Sequence, residues 1–129
     1  MPSRPISPHL SVYKFKYTLT TSILNRFTGF GLSLGLVLLA YWLMAVAGGA
    51  APQREAQRLL ALPLMRVIYA ALLFAFCYHL LAGIRHLVWD TGRGLERRQS
   101  QRSAWLVVIL SILLTFLIGY GLLHGARAP

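Results

Sequence analysis

The 129-residue chain is 57% hydrophobic and only 12% charged. Soluble domains carry about 25% charged residues, so a water-soluble globular domain is excluded. The 13 Lys+Arg against 3 Asp+Glu give a net charge of +10, but the cations lie in short connections beside apolar runs. That is a membrane pattern, not the basic helix or strand face of a nucleic-acid binder.

Residues 1–21 are polar to mixed, with Pro2, Pro5, Pro8, Arg4, Lys14 and Lys16. They read as an extended arm that turns amphipathic near Tyr13–Tyr17. An uncharged run follows from Phe27 to Ala47. Ala45-Val46-Ala47 resembles a signal cleavage site, but two more apolar runs follow and the segment is expected to be retained. The connection Gly48–Ala61 carries Gly-Gly and Pro52, then Gln53–Arg58, a candidate short surface helix. A second run spans about Leu62–Trp89, interrupted by Arg66 and by the His79–His86 cluster. The connection Thr91–Ser103 is polar and basic, and a third run spans Ala104–Leu123. About 20 residues at ~1.5 Å each cross a hydrocarbon core, and each run is long enough. The expectation is an all-α membrane bundle in a single membrane-anchor domain over residues 1–129, with three transmembrane helices at about 22–47, 62–90 and 104–124.

The cations set an expected orientation. The arm and the second connection share Arg4, Lys14, Lys16, Arg26, Arg85, Arg93, Arg97, Arg98 and Arg102. The opposite side has Arg54, Arg58, Arg66 and Arg127. The bias predicts a cytoplasmic N-terminus and an outside C-terminus. Small residues at Gly29, Gly31, Ser33, Gly35, Gly119 and Gly121 permit close helix contact, here or with partner helices.

Two polar features stand out. Ser22, Asn25, Arg26, Gly29 and Ser33 recur at intervals of three and four and form a stripe if the first helix extends back through Ser22. A hydroxyl and a fixed cation at the membrane boundary suit a quinone carbonyl, which needs donors to polarise it and access to protons. Arg26 alone also reads as a residue snorkelling to headgroups. The second feature is Tyr78–Asp90, with His79, Arg85, His86 and Asp90. Ionisable groups at membrane depth are costly and mark candidate sites. His79 and His86 are seven residues apart, ~10.5 Å along one helix face, so they do not ligate one haem between them. His124 lies at the other end of its helix, at a different depth. If His79 ligates a haem, the second ligand comes from another polypeptide. A helix–helix hydrogen-bonding histidine is the competing reading. His86 and Arg85, near the interface, suit a propionate, a phosphate or Asp90. The single cysteine, Cys77, excludes an intrachain disulfide and a cysteine-ligated cluster within the chain, and reads as a packing residue.

Two stretches resemble the cytochrome b membrane-anchor subunits of succinate dehydrogenase (complex II). The first is Arg4-Pro5-Ile6-Ser7-Pro8-His9-Leu10 through Tyr13-Lys14-Phe15 to Ser22-Ile23-Leu24-Asn25-Arg26-Phe27-Thr28-Gly29. The second is His79-x-x-x-Gly83-Ile84-Arg85-His86-Leu87-x-Trp89-Asp90-x-Gly92. The resemblance implies that His79 is an axial ligand of haem b iron, with the other ligand supplied by a second hydrophobic anchor subunit. It implies that Ser22 and Arg26 bind ubiquinone and that Arg26 also touches a haem propionate; Arg85 and His86 are candidates for propionate or edge contacts by their position near the interface. It also implies an iron–sulfur subunit and a flavoprotein subunit as partners, because this chain has no motif for either centre. One departure is Asn25, where the family has histidine. An amide donates a hydrogen bond but carries no charge and shuttles no proton. The alternatives are an anchor of fumarate reductase and, in a different class, a small non-haem structural or transport protein. The absence of a transit-like segment ahead of Arg4 points to a bacterial inner membrane.

Overall fold

A computed structural model describes residues 17–125. The proline-rich arm up to Lys16, and Arg127, lie outside the described residues. Four helices follow in order: α1 Tyr17–Ala47, α2 Ala50–Leu60, α3 Pro63–Asp90 and α4 Arg97–Gly125. Three of them are long and apolar enough to cross a membrane. The chain is all-α among its described residues, with α2 as the short helix of the first connection.

Helix boundaries run past the apolar runs. α1 starts at Tyr17 and α4 at Arg97, because Thr, Ser, Gln and Arg are adequate helix formers where the last turns meet water. Hydropathy marks the bilayer-crossing part of a helix, and the backbone continues beyond it. The turns follow local chemistry. Gly49 has φ 95° and Gly92 φ 77°, in the left-handed region that glycine enters without steric cost. Pro63 opens α3 at a position where its missing N–H has no partner to lose.

α3 is the central helix. It packs against both α1 and α4, which touch each other only slightly, and α2 folds back against α1. The contacts are made by small residues. Ser100, Ala104, Val107 and Ser111 form a buried seam on α4, where Val107 packs with Tyr78 and Ala82 of α3. Their spacing of three and four keeps them on one face, and their size lets the helix backbones approach. One hydroxyl in this seam returns to its own helix: Ser111 Oγ donates to the Val107 carbonyl at 2.6 Å. Large apolar side chains point outward instead, including Phe27, Phe30, Phe116 and Leu117. That inverted pattern suits a lipid solvent. Of the glycines expected to bring helices together, Gly29 abuts His79 and Gly35 abuts Leu72, whereas a Cβ on Gly31 or Gly121 would meet nothing within 4 Å. Cys77 is buried and unpaired as a thiol.

Candidate functional site

The site lies where the first turns of α1 meet the second half of α3. Tyr78 fixes this junction: its buried hydroxyl donates to the Thr21 carbonyl at 3.1 Å. The next residue, His79, is half-buried and directed at α1, where its Nδ1 lies 3.4 Å from Thr28 Oγ1. Gly29 makes room for the ring. A Cβ there would stand 3.1 Å from His79 Cε1, tighter than an ordinary contact.

Toward the interface the same two helices enclose a small polar cleft of about 180 Å³, lined by Thr21, Ser22, Asn25, Tyr78, Ala82, Arg85, His86 and Trp89. Ligand sites usually enclose about 300–1,000 Å³, so this chain supplies one wall of any larger site. Asn25 Oδ1 is buried there without a hydrogen-bond partner among the described residues. His86 is exposed, with Nδ1 2.7 Å from the Ala82 carbonyl and its ring edge-on to Trp89 at 5.2 Å.

The predicted stripe on α1 divides. Ser22 and Asn25 face the cleft. Arg26 is exposed on the flank beside Ile23, Phe27 and Phe30, a cationic head on an apolar surface. Arg85 is drawn the other way. Its Nε donates to Ser103 Oγ at 2.9 Å, and one Nη nitrogen donates to the Ser100 carbonyl at 2.8 Å. The guanidinium also stacks 4.0 Å over the Trp89 ring. Arg85 thereby holds the start of α4 against α3, a role that the sequence alone does not display. Asp90 is exposed at the end of α3. His124 lies in the last turn of α4, stacked on Tyr120 at 3.9 Å, well away from His79.

His79 offers an imidazole beside an open stretch of α3. His79, Gly83 and His86 recur at i, i+4 and i+7 on α3, and a Cβ on Gly83 would meet nothing within 4 Å. The surface between the two histidines is therefore open. Among the described residues no group of three or more ligating side chains could hold a bare metal ion. A single half-buried histidine beside an open glycine suits a prosthetic group that brings its own donors.

Comparison with known proteins gives the family. Residues 1–118 match the family model described as succinate dehydrogenase/fumarate reductase transmembrane subunit. The chain is 39% identical over 115 residues to a succinate dehydrogenase cytochrome b556 subunit of Rickettsia typhi, covering 89% of this chain and 90% of the relative. It is 38% identical to the cytochrome b556 subunit of Paracoccus denitrificans, covering 89% and 88%. It is 37% identical over 113 residues to the mitochondrial cytochrome b560 subunit of Bos taurus, covering 86% of this chain and 67% of that relative.

Proposed function

Since the chain belongs to the succinate dehydrogenase/fumarate reductase transmembrane subunit family, we propose that it is the haem b-binding membrane anchor of a succinate dehydrogenase and forms part of its ubiquinone site. The observation that carries the reading is His79, seated against Gly29 and one turn from the open surface at Gly83, beside a cleft that contains Ser22. The relatives' names favour succinate dehydrogenase over fumarate reductase.

In this reading His79 would hold haem b through its iron, together with a ligand from a second hydrophobic anchor subunit. His86, from the cleft, and Arg26, from the flank of α1, would contact its propionates. The Asn25 amide, turned by half a rotation, offers its NH2 group to a carboxylate. Arg85 mainly keeps α4 in register and so shapes the cleft from behind. When bound, the haem accepts and releases single electrons. Ser22 donates its hydroxyl to a quinone carbonyl, and Arg26 stabilises negative charge that develops on the ring oxygens. Both sit at the membrane boundary, where protons arrive from water. The iron–sulfur subunit delivers the electrons, and the flavoprotein subunit oxidises succinate. The protein's contribution is placement, ligation and electrostatics.

A reduced-minus-oxidised spectrum of membranes containing the complex tests the reading. A b-type haem band that depends on this chain is the expected result, and its absence overturns the proposal. In this reading the chain lies in a bacterial inner membrane, and cation placement supports a cytoplasmic N-terminus there. A reporter fused after Pro129 will then be active only if it is of a type that works outside the cytoplasm. Activity confined to a cytoplasmic reporter contradicts the orientation.

A further inference from the structure

We infer that Thr28 is a positioning residue for His79: it holds the imidazole in the tautomer that leaves Nε2 for iron and tunes the electron donation of the ligand. The inference rests on the haem reading above and concerns the side of the ring that faces away from any ligand. Thr28 is buried, and its hydroxyl is already directed to the Asn25 carbonyl on its own helix at 2.9 Å. A hydroxyl has one proton. With that proton on the carbonyl, Oγ1 has only lone pairs to offer to His79 Nδ1 at 3.4 Å. Nδ1 must then carry the ring proton and Nε2 must be bare.

The relay runs from Nδ1–H to Thr28 Oγ1, and from the Thr28 O–H to the Asn25 carbonyl. It anchors the ring to the α1 backbone, and Gly29 beside it lets the ring come close. A hydrogen bond accepted from the far nitrogen of a ligating histidine fixes its orientation and raises its basicity. A more basic ligand favours ferric over ferrous iron.

Thr28→Val preserves shape and removes the relay, whereas Thr28→Ser preserves the hydroxyl. In the purified complex, Thr28→Val should retain haem and shift its midpoint potential upward. The expected change is about three- to tenfold in the ferric-to-ferrous ratio at fixed potential, tenfold being 59 mV for one electron. Thr28→Ser should return the potential toward wild type. If Thr28→Val assembles with less haem, the same potential measurement on the retained fraction still decides. A Thr28→Val potential equal to that of wild type, or a Thr28→Ser potential displaced as far as that of Thr28→Val, overturns the inference. Failure of the underlying reading has a separate signature: a haem spectrum that survives His79→Ala.

Discussion

Replacing His79 with alanine will remove the haem b absorbance of the purified complex, down to the level of membranes that lack the complex. Among the described residues, His79 is the half-buried histidine of the α1–α3 contact, held against Thr28 and Gly29. His86 cannot take its place, because it stands seven residues further along α3, ~10.5 Å along the axis, with Nδ1 turned to the Ala82 carbonyl. His124 cannot do so either, because it is stacked on Tyr120 in the last turn of α4. Alanine also leaves the Thr28 hydroxyl in place, since it already bonds to its own helix, so α1 should keep its local structure. The measurement is a reduced-minus-oxidised spectrum normalised to flavin content, which reports how much complex has assembled. An unchanged haem band at normal flavin content would refute the ligand assignment. Loss of both signals would mean that the ligand is needed for assembly, and imidazole added to the variant complex then gives the finer test: recovery of the band confirms a vacated ligand position.

Arg26→Ala will separate two activities that are normally linked. Succinate oxidation measured with a soluble dye acceptor should be spared. Electron transfer to ubiquinone should fall by about 10²-fold or more, the scale seen when a donor aimed at developing charge is removed. The reason lies in placement. Arg26 is exposed on the flank of α1 beside Ile23, Phe27 and Phe30, and among the described residues it forms no ion pair. Its loss therefore leaves no buried carboxylate unpaired and should cost little stability. Arg26→Lys keeps the charge but loses the planar fork of donors, so it should fall between alanine and wild type. Equal loss of dye reduction and quinone reduction in Arg26→Ala would show a defect of assembly and remove Arg26 from the quinone site.

The three long helices were legible because apolar length is a direct readout of bilayer thickness. The short helix in the first connection was also legible, from Gln53–Arg58 between Gly49 and Pro63. The candidate residues were legible as types at helical spacing, but the geometry that the fold gives them was not. Ser22 and Asn25 turn into the cleft and Arg26 turns out, a division that depends on where α3 packs. Arg85 reads from sequence as a ligand for anionic groups. Its contacts with Ser100 and Ser103 depend on the register between α3 and α4, which no spacing within one helix reports. The seam Ser100–Ala104–Val107–Ser111 was hidden for another reason. It begins among Arg97, Arg98 and Arg102, in a stretch that composition marks as a connection. Thr28 was hidden because a threonine in a membrane helix ordinarily bonds to its own backbone, and only the fold places His79 on its other side.

The small-residue interior has a consequence for the life of the chain before assembly. Ala75, Ala82, Ala104 and Ser111 bring helices together, but they offer little contact area to hold them there. The Asn25 oxygen, buried without a partner among the described residues, further penalises the solitary state, since an unsatisfied buried polar group is costly. Whatever binds the assembled form and not the loose one adds its binding free energy to the stability of the fold. For this chain, folding and association therefore form one mass-action equilibrium. Haem and partner subunits that bind the assembled form will raise the folded fraction as their supply in the membrane rises.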